Sequence, residues 1–134
     1  HFMQELGTDP EGAGYMRVGY NSLAACASIN HLHFQAWLYE RSLPLEVATQ
    51  RPVSLKGNDN TKTAADQTGV QVFEVENYPI KSLVFKVEGV EVKKAASVVW
   101  RCVGALVEHN VPHSLVMNES HVFVLPRQPQ QAMS

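Results

Sequence analysis

Between Val90 and His109 the apolar residues Val92, Ala95, Ala96, Val99, Val103, Leu106 and Val107 return with helical spacing. Asn110 and Pro112 stop the run. This is the strongest helix signal in the chain, and the ordered stretches around it alternate with period two instead. Tyr15 to Tyr20 puts Met16, Val18 and Tyr20 on one face. A second strand reads from Ile29 to about Tyr39. Others follow at Val70 to Val75 and Ser82 to Val87. His113 to Met117 and His121 to Leu125 form a hairpin across Asn118-Glu119-Ser120. One main helix among strands joined by short connections predicts an α+β fold, a mainly antiparallel sheet with the helix packed against it.

The rest of the chain reads as connections. Phe2, Met3 and Leu6 end an element that Gly7, Asp9-Pro10, Gly12 and Gly14 break. Leu23 to Ser28 is a tight connection of small residues. Leu43-Pro44-Leu45 is extended at best, and residues 55–69, rich in Asn, Asp, Thr, Lys and Gly, form a flexible surface loop. The tail from Gln128 is polar and frayed. At 134 residues the chain is one modest domain, and 45% apolar content supports a core.

Charge excludes some classes. A net charge of -2 with scattered Lys and Arg argues against coating nucleic acid, since counterion release needs clustered cations. No apolar run approaches the length that spans a bilayer. Cys26 and Cys102 make neither a CxxC pair nor a zinc-finger spacing. They read as buried free thiols in a reducing, cytoplasmic setting.

The chemistry concentrates in Ser28-Ile29-Asn30-His31-Leu32-His33-Phe34-Gln35-Ala36-Trp37. On a strand, His31, His33 and Gln35 share one face, and Leu32, Phe34 and Ala36 turn the other way, into the core. A neutral imidazole is nucleophilic near pH 7, and its attack on a phosphorus ester stores the transferred group as a phosphoramidate. His33 is central, with His31 and Gln35 one pleat repeat away. Gln35 donates and accepts hydrogen bonds without titrating, which suits a leaving group that needs little protonation. By spacing alone, an ordinary polar strand face explains the pattern equally well. His-x-His also ligates zinc, but no further ligands stand out. His109, His113 and His121 read as surface or loop residues, and Phe34 and Trp37 as core.

Arg17-Val18-Gly19-Tyr20-Asn21-Ser22-Leu23 followed by Ala27-Ser28-Ile29-Asn30-His31-Leu32-His33-Phe34-Gln35-Ala36 closely resembles the GDP-hexose phosphorylases. These belong to the galactose-1-phosphate uridylyltransferase branch of the histidine-triad superfamily. The likeness continues through Leu43-Pro44-Leu45-Glu46, residues 77–85, His109-Asn110-Val111-Pro112-His113 and residues 122–126. It implies a histidine-triad-like domain, and His33 in the place of the nucleophile that carries GMP covalently. His31 would orient the strand and Gln35 would hold the guanylylated state. Asn21, Ser28, Asn30 and Arg17 would contact the nucleotide or its phosphates, with a surface or strand-pairing role for Arg17 as the alternative. The substrates implied are a guanine nucleotide sugar and inorganic phosphate, with no metal and no cofactor. A homodimer or larger assembly is compatible with the resemblance. The family is longer than this chain, so residues 1–134 correspond to a single partial domain whose base pocket is incomplete. The alternative expectation is an inactive shortened relative that serves as a structural or interaction subunit.

Overall fold

The computed structural model describes residues 16–23, 25, 32–55 and 63–128. The element expected over residues 1–14, most of the connection before Ser28, the first residues of the second strand, the middle of the polar loop and the tail after Gln128 lie outside the described residues.

Among the described residues ten elements follow one another: β1 (Met16–Asn21), β2 (Gln35–Leu38), α1 (Pro44–Val47), β3 (Gln50–Val53), α2 (Ala64–Thr68), β4 (Gln71–Val75), β5 (Leu83–Lys86), α3 (Val92–Glu108), β6 (His113–Met117) and β7 (His121–Pro126). The strands form a seven-stranded sheet in the order β2-β1-β6-β7-β5-β4-β3. Every neighbouring pair is antiparallel. The α+β expectation therefore holds.

The central strands β5 and β7 bury both faces, which is why residues 83–85 and 122–125 read as unbroken apolar runs. On one face Val72, Phe85 and Val124 pack with Val98 and Val103 of α3 and with Ala64 and Val70. On the other, Val75, Val84, Phe123 and Leu125 pack with Leu45 of α1. Phe85 and Phe123 are almost wholly buried, each worth about 1.5–3 kcal/mol of transfer free energy.

The long helix and the final hairpin lie within a residue or two of their expected limits. Three expectations need correction. Leu43-Pro44-Leu45 is not extended: Pro44 opens the short helix α1, where its missing N–H costs nothing, and the Glu46 carboxylate accepts the Leu43 N–H at 2.7 Å. The polar stretch of residues 55–69 is not all loop. Thr63 Oγ1 accepts the Asp66 N–H and Asp66 accepts the Thr63 N–H, which closes the first turn of α2. Gly69, at φ 84°, ends that helix in the left-handed region. Among the described residues of this stretch, Ala64 enters the core and Leu55 packs against it, too few to show as a period.

The third correction concerns the histidine strand. Its ladder begins only at Gln35, and β2 is an edge strand. Leu32 and Phe34 do not enter the core: they are 72% and 54% exposed. With Val92, Trp100 and Val107 of α3, also exposed, they rim an apolar hollow of about 710 Å³. Helix α3 packs over β7 and β5, and among the described residues no helix covers the β1–β2 end of that face. No helix is long and apolar enough to cross a membrane among the described residues.

Candidate functional site

The register between β1 and β2 decides which way the histidine segment faces. Gly19 stands opposite Gln35, and Val18 opposite Ala36. One further step sets Tyr20 against Phe34, and their rings lie 5.3 Å apart. The antiparallel arrangement thus persists beyond the formal end of β2. Carried one residue further, past the start of the ladder at Gln35, the same register would set Asn21 against His33. Phe34 and Tyr20 share the hollow, whereas Gln35, Gly19 and Asn21 belong to the opposite face, and the same alternation continued to His33 would put it there too.

Trp37 belongs to that opposite face as well. A Cβ added at Gly19 would stand 3.0 Å from Trp37 Cζ3, so the indole rests where only glycine gives room. His33 itself is half-buried, and Gln35 is exposed. His31, Ser28 and Asn30 lie outside the described residues.

Strand β6 extends the row. Asn21 pairs with Ser114, and Ser114 Oγ donates to Asn21 Oδ1 at 2.6 Å. That bond fixes the amide so that its NH₂ remains a donor. Arg127, just past β7, reaches back until its Nη1 is 3.5 Å from the same Oγ. Ser22 ties the strand end down: its Oγ accepts the His113 N–H at 2.8 Å, and its N–H donates to the His113 carbonyl at 2.9 Å. The row therefore runs His33, Asn21, Ser114, Arg127 across the sheet. Adjacent strands are about 4.8 Å apart, so His33 and Ser114 are separated by roughly 10 Å between backbones.

Arg17 sits at the far end of β1 and is 1% exposed. Its Nε and Nη2 both donate to Glu46 Oε1 at 3.1 Å, and Nη2 also approaches the Arg41 carbonyl at 3.4 Å. Asn118 Nδ2 donates to the other Glu46 oxygen. This cluster pins α1 to β1 and β6.

Two histidines read as surface residues are not so. His113 is 2% exposed on β6, with Nδ1 3.0 Å from the Val111 carbonyl and its ring 6.1 Å from that of Tyr20. His121, on β7, is half-buried, and Ser120 Oγ meets its Nδ1 at 2.7 Å. Burial, and then the charge of Lys86, push its pKa below the ordinary value, while Glu88 and Glu46 pull the other way. Burial likewise pushes the Cys102 thiol up. Among the described residues no group of three His, Cys, Asp or Glu is placed to hold a metal ion.

Sequence reading found His33, Gln35 and Asn21 because they share one local stretch. It missed Ser114 and Arg127, which join them only through sheet order. Their one local signal is a polar residue on the hidden face of β6 and a cation directly after an apolar strand.

The family model described as GDPGP1-like, C-terminal domain, matches residues 52–134. That match begins after the histidine strand. GDP-L-galactose phosphorylase 1 of Arabidopsis thaliana is 33% identical over 115 residues, 84% of this chain and 24% of the relative. GDP-D-glucose phosphorylase 1 of Xenopus laevis is 28% identical over 99 residues, 74% of this chain and 22% of the relative. The Homo sapiens GDP-D-glucose phosphorylase 1 is 28% identical over 101 residues, 74% of this chain and 23% of the relative. The chain thus spans about a quarter of the length of these relatives. No solved structure matches it.

Proposed function

Because the chain belongs to the GDP-hexose phosphorylase family, we propose that it carries the nucleotidyl-transfer strand of such an enzyme, in a histidine-triad-like partial domain. His33 attacks the α-phosphorus of a GDP-hexose, the bond to the bridging oxygen breaks, and hexose 1-phosphate leaves with that oxygen. Inorganic phosphate then attacks the same phosphorus, the phosphorus–nitrogen bond breaks, and GDP departs. The imidazole is regenerated, so it is a carrier rather than a reagent. Gln35 hydrogen-bonds the guanylylated state, and Asn21 holds a phosphoryl oxygen. His31, Ser28 and Asn30 keep the roles that the family resemblance implies.

The observation that carries this reading is the shared face of His33, Gln35 and Asn21, set by the Gly19–Gln35 register and the Tyr20–Phe34 contact. Intact-mass measurement tests it. GDP-hexose without phosphate should add one GMP to the protein, and His33→Ala should abolish the addition. Nucleotide binding without any adduct on the wild type would refute it.

A second reading is favoured by the exposed apolar rim of Leu32, Phe34, Val92, Trp100 and Val107. In it the chain is a subunit or segment of a larger assembly, and its own sheet serves mainly for contact. Absence of nucleotide binding by the isolated chain would support this second reading.

A further inference from the structure

We propose that Arg127 is the anion-binding group of the His33 face, and that it takes the outer phosphate of the diphosphate whose α-phosphorus faces His33. This rests on the reading of His33 as nucleophile. In the two half-reactions the same guanidinium holds first the phosphate of the departing sugar phosphate and then the incoming inorganic phosphate.

Elimination among the cations of the described residues supports the assignment, with Arg41 and Lys81 exposed on the connections after β2 and before β5. Arg17 is spent on Glu46 in the interior. Arg51 pairs with Glu74 and Glu76 at the opposite edge of the sheet, on β3. Lys93, Lys94 and Arg101 are on exposed positions of α3, which covers the other face. Lys86 stands opposite His121 on β5, further along the sheet. Arg127 is half-buried and has no carboxylate partner among the described residues. Its side chain makes a long contact to Ser114 Oγ, which leaves most of its donors available.

The geometry beside it suits a phosphate. Ser114 Oγ gives its proton to Asn21, so the Asn21 amide is turned with its NH₂ as the remaining donor. The Asn21 NH₂ and the Arg127 guanidinium then flank one stretch of the row. A planar guanidinium presents two parallel N–H groups to a phosphate, a match that an ammonium does not make. The main chain keeps Arg127 in place, since its N–H donates to the Pro112 carbonyl at 2.7 Å.

Inorganic pyrophosphate titrated into the chain tests the proposal without relying on turnover, with amide resonances as the readout. The amides of Asn21, Ser114 and Arg127 should move together. Arg127→Met should weaken binding by about tenfold or more, as expected for a lost charge-assisted contact, and Arg127→Lys should lie between the two. Unfolding midpoints identify any variant that fails to fold, and Arg127→Gln, which keeps length and polarity, then replaces Arg127→Met. Pyrophosphate that does not bind, binds elsewhere, or binds the folded neutral variants as tightly as wild type overturns the proposal. The mass assay separates the two readings. Pyrophosphate binding that needs Arg127 but no GMP adduct refutes the enzyme and leaves this anion site standing. An adduct with unchanged binding in Arg127→Met refutes the anion site alone.

Discussion

At Arg17 a full positive charge lies in the interior of the sheet's end, answered by Glu46, which is itself only 10% exposed. Such a pair is costly to assemble and costlier to break, because removing one partner strands the other charge. Arg17→Met should lose about 3–5 kcal/mol in urea unfolding, and Arg17→Met combined with Glu46→Met should recover much of that loss. A loss under about 1 kcal/mol for the single change, a size typical of exposed pairs, would contradict this account. His121 sets a pH dependence of definite sign. Its folded pKa lies below the ordinary 6.5, so the unfolded chain takes up the proton first as pH falls. The stability this residue contributes is present above about 6.5 and is lost as pH falls toward its folded pKa. The difference in unfolding free energy between wild type and His121→Gln should therefore shrink across that interval. A difference that stays constant with pH would refute the linkage. Residues of this kind were hard to read from sequence, because His113 and His121 owe their burial to neighbours on other strands rather than to adjacent residues.

Among the elements, β2 and β7 occupy opposite situations. β7 is bonded on both sides and carries Phe123 and Val124, whereas β2, among the described residues, is bonded to β1 alone and is mostly exposed. Hydrogen exchange should reflect this. The β7 amides should exchange only on global unfolding, and the β2 amides should exchange faster by about two orders of magnitude or more. Equal protection would mean that the outer edge of β2 is covered in solution. The elements legible in sequence were those whose pattern is self-contained: α3, from its period and its stop at Asn110, and the β6–β7 hairpin, from alternation around a polar turn. Helix α1 and strand β3 were not legible. Each is four residues long, and α1 depends on a carboxylate that also serves Arg17 across the fold. Among the described residues β2 is shorter than expected, since Leu32 and Phe34 share a face as in a strand but lie outside the ladder.

For the molecule as a whole, the sheet is covered unevenly. Helix α3 shields the centre of one face and α1 supports the other, while the β1–β2 end has an apolar hollow on one side and the polar row on the reverse. The period of α3 predicted Val92 and Val107 in the core, yet they are 66% and 55% exposed. Helical spacing reports which residues share a face, not whether the sheet beneath extends far enough to bury it. The chain spans about a quarter of the length of its curated relatives, and the uncovered rim lies at the end of the sheet where the proposed chemistry takes place.

The seating of Trp37 on Gly19 gives the proposed chemical strand its own optical reporter. The chain has two tryptophans, and Trp100 is 64% exposed on α3. With Trp100 replaced by phenylalanine, the indole emission comes from Trp37 alone. Lifting β2 from the sheet wets that indole and reddens its fluorescence, whereas a ligand that clamps the strand shifts it to the blue.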